Sequence, residues 1–214
     1  MKYEILKNQQ IQVTHPNTLL PIKLFRIIAL RDISVTVDGT TYNIKSGTIG
    51  GYVQSERNLP QDDNGWIAHD AAVLDSAVVK DSYVTDSAKI FGNAVVENCR
   101  IAHRAVVEDR AIVQNSKLSE NVIISDSGVV TDSTIKNASR VEGQSVVNNS
   151  SISGGSRVYN SRVYNSTFED QAEAIESTVR NCHFSGRTVC KMKNVDGERR
   201  DEQIELTVKT QNNV

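Results

Sequence analysis

Aromatic residues make up only 5% of this chain, and it holds three prolines in 214 residues. Proline scarcity argues against a disordered or proline-rich tract. Lysine and arginine nearly balance aspartate and glutamate, for a net charge of −2. That balance carries neither the footprint of a nucleic-acid binder nor that of an acidic mimic. No apolar run approaches the ~20 residues of a membrane-spanning helix. No leader peptide is read ahead of Tyr3, so a cytoplasmic protein with no membrane partner is expected. Three cysteines, Cys99, Cys182 and Cys190, are an odd number. Cys182 and Cys190 lie where C-terminal segments could bring them together, but nothing in the sequence favours a disulfide over thiols. No glycine-rich phosphate loop and no threonine ladder of an ice-binding face is present.

What is present is a repeat. Stepping by 17 from Val73 meets Ile90, Val107, Ile124, Val141, Val158 and Ile175. A second column runs Ile67, Val84, Ile101, Leu118, Ile135 and Ile152, a third Val78, Val95, Ile112, Val129, Val146 and Val163. The neighbouring column Val79, Val96, Val113, Val130 and Val147 is equally regular, so Val78 and Val79 compete for the inward place. Self-similarity at one fixed period marks a repeat architecture. Within a unit the apolar positions fall 5 or 6 apart, whereas a helix would space them 3 or 4 apart.

Such spacing predicts an all-β fold: a three-sided parallel β-helix with one inward aliphatic per side. Small residues recur between the aliphatics: Ala77, Ala94, Ala111, Gly128, Ser145; Ala71, Ala88, Ala105; and Ser82, Cys99, Ser116, Ser133, Ser150, Thr167. Corner columns read Asp75, Gly92, Asp109, Asp126, Gly143, Asn160 and Asp81, Asn98, Asn115, Asp132, Asn149. Glycine, asparagine and aspartate tolerate positive φ, and stacked asparagines can bond coil to coil. The register slips after Asn165. About seven 17-residue coils, stacked at about 4.8 Å, would make a rod about 34 Å long.

Residues 1–64 lie outside the repeat and are read as a β-rich cap, with Trp66 closing the first coil. Leu24 to Leu30 reads as a strand. Val35 to Ile44 reads as a hairpin turning at Asp38-Gly39. The β-helix is assigned to 65–187. The remainder, 188–214, is read as a capping hairpin, Val189 to Val195 against Ile204 to Val208, with a charged loop from Glu198 to Glu202 and a frayed tail.

The repeat resembles the left-handed β-helix, or hexapeptide-repeat, superfamily. Leu24-Phe25-Arg26-Ile27-Ile28-Ala29-Leu30, Gly47-Thr48-Ile49-Gly50-Gly51-Tyr52-Val53, Asn58-Leu59 and Gly65-Trp66-Ile67 resemble the front end of YdcK-like β-helix proteins of enterobacteria and, in related forms, phages. That resemblance implies cap plus left-handed helix and points to an accessory protein acting on a host factor. It implies no established reaction, and fold alone does not supply one.

The superfamily's acyltransferases are trimers that bind coenzyme A and use a histidine base. Here His69, Asp86, His103 and Glu120 share one corner column, continued by Asn137 and Gly154. His69 and His103 are the catalytic candidates of that rival reading, and His69, Asp86 and His103 the metal-ligand candidates. The favoured reading is non-catalytic, with no cofactor: a rod that binds a protein partner, a small anionic ligand or a second copy of itself. Its candidate contact residues are the outward strip Leu74, Phe91, Val106 and Ile123, and an Arg/Tyr-rich zone of Arg157, Tyr159, Arg162 and Tyr164, with Arg180 beside it.

Overall fold

The structure, a computed structural model, describes residues 1–197 together with the strands at 199–200 and 205–206. Short strands stack into three parallel sheets around one aliphatic core, making a parallel solenoid of about nine turns. The count exceeds the expected seven because pairing begins earlier and continues later. Five strands precede the repeat: β1 (Tyr3–Thr14), β2 (Pro21–Ala29), β3 (Ile33–Val37), β4 (Thr40–Ile44) and β5 (Ile49–Val53). The last of these, β5, already pairs in parallel with Ala72–Val73. At the other end Val189–Lys191 pairs in parallel with Glu173–Ile175, and Asn194–Asp196 with Thr178–Arg180. Val189–Cys190 in turn pairs in parallel with Glu205–Leu206. The segment expected to fold back as a hairpin therefore continues the coil. Its alternation is that of further rungs, at a spacing of 16. Ile204, Thr207, Val208, most of the charged loop and the tail lie outside the described residues.

Each coil contributes one strand to each face. The first face carries Ala72–Val73, Lys89–Ile90 and Val106–Val107 upward; the second Val78–Lys80, Val95–Glu97 and Ile112–Gln114; the third Trp66–Ile67, Tyr83–Val84 and Arg100–Ile101. Val73, Ile90, Val107, Ile124, Val141 and Val158 line the inside of the first face, Ile67 to Ile152 that of the third. On the second face Val79, Val96, Val113, Val130 and Val147 are fully buried and so is Val163, expected in the Val78 column, while Val78, Val95, Ile112, Val129 and Val146 face outward. Strand alternation permits only one of two adjacent residues to point in.

The slip comes one corner before Asn165, at Asn160-Ser161. Three residues, Gly143 to Ser145, turn the corner into Val146, but only Asn160 and Ser161 turn it into Arg162. Val146 therefore pairs with Arg162, and Val147 with Val163. From there the period is 16. Ala174 then takes the inward place expected for Ile175, which faces out, and Ser166 replaces Thr167 in the small column.

The small columns hold hydroxyls for a reason. Ser116 Oγ donates to Gln114 O (2.6 Å) and accepts the Ser133 N–H (3.1 Å). Ser133 repeats this with Thr131 O and the Ser150 N–H, and Ser150 with Asn148 O and the Ser166 N–H. Each corner thus satisfies backbone groups that the sheets leave open. Cys99 stands in for one of these serines, with Sγ 3.0 Å from Glu97 O. Burial pushes its thiol up to about 12. No disulfide is present among the described residues. On the exposed corner Asn98, Asn115 and Asp132 form the expected side-chain ladder, 2.8 and 3.1 Å per step.

The lower end of the core is plugged by side chains. Asn58 is fully buried, and its Nδ2 donates to Asp75 O (3.1 Å) and Ala77 O (2.9 Å), carbonyls that have no coil beneath them. Gln54 Oε1 accepts the Asp75 N–H (2.7 Å). Tyr3 lies under Leu59 and donates its hydroxyl to Leu59 O (2.7 Å). Trp66 is buried in the first strand of the third face. Gly50 and Gly51 let β5 approach the first coil: a Cβ at Gly51 would sit 2.5 Å from Ala71 O.

Candidate functional site

Two arms of the N-terminal segment decide which faces of the rod are open. The first is the β1–β2 hairpin. Its base joins the first-face sheet, with Phe25 opposite Val53 and Arg26 opposite Tyr52. A bulge between Leu6 and Gln10 bends the rest, and the distal part lies on the outside of the first coils. Leu24, Ala72, Leu74 and Phe91 form a cluster there, with Ile11, Val13, Ile22, Tyr52 and Val106 against it. Leu74 is 3% exposed and Phe91 2%. The expected contact strip is thus real as an apolar strip, and the occupant of its first half is the chain's own hairpin. Val106 sits at the hairpin's edge; Ile123, next along the column, is half-buried. The hairpin tip is pinned by His15, whose Nε2 lies 2.9 Å from Asp75 Oδ2. His15 Nδ1 accepts the N–H groups of Asn17 and Thr18, which places the ring proton on Nε2.

The second arm is the β3–β4 hairpin. Asp38 and Gly39 turn it, both with positive φ, as the Asp-Gly signature requires. It lies along the third face. Tyr42 stacks on Tyr83 (centroids 3.9 Å apart), Arg100 Nε donates to Tyr42 Oη (2.8 Å), and Lys117 pairs with Asp38 (2.7 Å).

The second face is left open. Val78, Val95, Ile112, Val129 and Val146 stand in register on its outside, one per coil, half-buried or exposed, and none belongs to either hydrophobic cluster. Beside them runs a second outward column, Lys80, Glu97, Gln114, Thr131 and Asn148. The stripe is legible in the sequence as a period, but two adjacent valine columns do not reveal which of them faces out.

The Arg/Tyr zone wraps a corner. Arg157 and Tyr159 lie on the first face, Arg162 and Tyr164 on the second, with Asn160 between them. Arg157 is committed: its Nε donates to Glu142 (2.6 Å) and its guanidinium lies 5.0 Å from the Tyr159 ring centroid. Arg180 lies 5.5 Å from the Tyr164 ring centroid. Arg162 directly follows Val146 in the outward column and ends the apolar stripe with an exposed positive charge.

His69, Asp86, His103 and Glu120 do stack, at the corner between the third and first faces, and all have positive φ. Their side chains do corner work. Asp86 Oδ2 accepts the His103 N–H (2.9 Å), as Asp109 and Asp126 do for the coil above them at another corner. Glu120 accepts from Asn137 (2.5 Å), and His69 Nδ1 contacts Thr85 Oγ1 (2.7 Å). His69 and His103 are exposed. Among the described residues no three histidine, cysteine, aspartate or glutamate side chains are grouped to hold a metal ion.

Two further charges are perturbed. Lys2 is fully buried at the plug and pairs with Asp63; desolvation lowers its pKa against the pull of that carboxylate. Glu108, on the first face, is held above the usual carboxylate range, first by burial and then by Asp109, Asp126 and Glu142. Comparison of the chain with protein-family models and with curated proteins finds no match.

Proposed function

We propose that this chain is a non-catalytic binding rod that docks protein through its second face, and that the first occupant of that face is a second copy of the chain. One observation carries the reading. Two faces are shielded near the base by the chain's own hairpins, while the aliphatic stripe from Val78 to Val146 is left uncovered on a rigid sheet. An exposed, contiguous apolar strip of this kind marks a contact surface. Its corrugation, about 4.8 Å per rung, is matched best by another stack of equal spacing. Lys80 beside its first rung and Arg162 directly after its last flank the strip with charge.

Kinship with YdcK-like hexapeptide-repeat proteins belongs to this reading and adds no chemistry to it. The rival, an acyltransferase using His69 or His103 and coenzyme A, gains no support from a corner whose carboxylates are engaged elsewhere, Asp86 by the His103 N–H and Glu120 by the Asn137 side-chain amide. Ile112→Asp combined with Val129→Asp tests the proposal. Solution mass by light scattering should show an oligomer for the native chain and a folded monomer for the double variant. A monomeric native chain, or an oligomer indifferent to both charges, would sink it. His103→Ala should leave the mass unchanged.

A further inference from the structure

The distal β1–β2 hairpin does not lie flush on the first face. Between them is a cavity of about 330 Å³, lined by Ile11, Val13, Leu24, Tyr52, Ala72 and Leu74, with Asp70 and Lys89 at its rim. At ~30 Å³ per water in the liquid it has room for about eleven waters, or an aliphatic chain of about eight carbons. Its walls are fixed rather than mobile loops: the His15–Asp75 contact holds the tip and Arg26 holds the base. The rim charges are unequal. Asp70 is neutralised by Arg26 Nη2 at 2.9 Å, and the same guanidinium lies 4.1 Å from the Tyr52 ring centroid. Lys89, exposed in the column between Ala72 and Val106, has no ion-pair partner among the described residues.

An apolar slot with one uncompensated ammonium at its mouth has a defined complement. We infer that this groove binds a small aliphatic monocarboxylate, its chain lying between hairpin and coil and its carboxylate on Lys89. Apolar pockets with few convergent polar groups bind in this way, the polar contact fixing orientation. The site lies on the first face, away from the proposed docking stripe on the second.

Octanoate is the probe, titrated into the full-length chain by calorimetry. Octan-1-ol and octylamine serve as chain-matched controls. Octanoate should bind with 1:1 stoichiometry per chain and raise the melting temperature. Octan-1-ol should bind about two- to fivefold more weakly, the scale of one partly exposed charge contact, and octylamine more weakly still. Lys89→Gln should bring octanoate down to the level of the alcohol. Ala72→Phe should fill the slot and abolish binding of both. If Ala72→Phe melts early, Ile11→Trp, at the half-exposed mouth, narrows the same space. No detectable octanoate binding, binding untouched by Lys89→Gln, or binding that survives the filled slot would each overturn the assignment.

Discussion

Val107 and Glu108 are neighbours in the chain and opposites in consequence. Val107 is fully enclosed by the coil, in register with Ile90 below and Ile124 above. Val107→Asp places a carboxylate where no partner exists, and should unfold several coils at neutral pH. Glu108 faces out, and burial with three nearby carboxylates holds its pKa up. A carboxyl raised in the folded state favours folding below its unfolded pKa and loses that contribution as pH rises through the folded value. Glu108→Gln should therefore be neutral to slightly stabilising at pH 7, by under about 0.5 kcal/mol, and should remove a small stability gain seen in the native chain near pH 4. Urea midpoints of both variants at the two pH values check this. At the plug the sign reverses. Lys2 is fully buried and Asp63 is its counter-charge. Asp63→Ala strands the ammonium and should cost about 3–5 kcal/mol, measurable by chemical denaturation. Asp63 Oδ2 is itself buried without a hydrogen-bond partner among the described residues, so Asp63→Asn, which keeps shape but not charge, should recover only part of the loss.

Among elements, the β1–β2 hairpin carries the largest consequence, and it was the least legible. Ile11 and Val13 alternate with glutamines and threonine, but the strand is half polar because only one side touches the rod. Without that strand, Leu74 and Phe91 read as an exposed contact strip. Phe91 is instead the floor beneath the hairpin, edge-on to His15 with centroids 6.0 Å apart. Phe91→Asp should release the distal hairpin while the coils stay folded. Amide hydrogen exchange should then rise over residues 10–24 and remain slow at Val96, Val113 and Val130. Other elements were plain in the sequence for physical reasons. The Asp38-Gly39 hairpin carries its own turn chemistry. The inward columns repeat because every coil imposes the same constraint. The one-residue contraction at Asn160-Ser161 was hidden because Val163 fits either neighbouring column, and a valine does not reveal its side of a strand. Asn58 could not be read at all: its role depends on two carbonyls 17 and 19 residues away that happen to lack a coil beneath them.

For the molecule as a whole, order comes from stacking. No coil buries enough by itself, so each depends on the rungs above and below, and the base depends on Asn58, Gln54 and the β1–β2 strands that cover what would otherwise be an open sheet edge. Every surface named above, open stripe and slotted groove alike, takes its position from that vertical register. Engineered cysteine pairs test it directly. Asn115 and Asp132 are adjacent rungs of one corner, their side chains 3.1 Å apart, and stacked strands at about 4.8 Å lie within the Cα range a disulfide accepts. Asn115→Cys with Asp132→Cys should oxidise readily to an intramolecular disulfide. Asn115→Cys with Asp109→Cys, closer in sequence but on another corner, should not. Crosslinking of the second pair and not the first would contradict the coil.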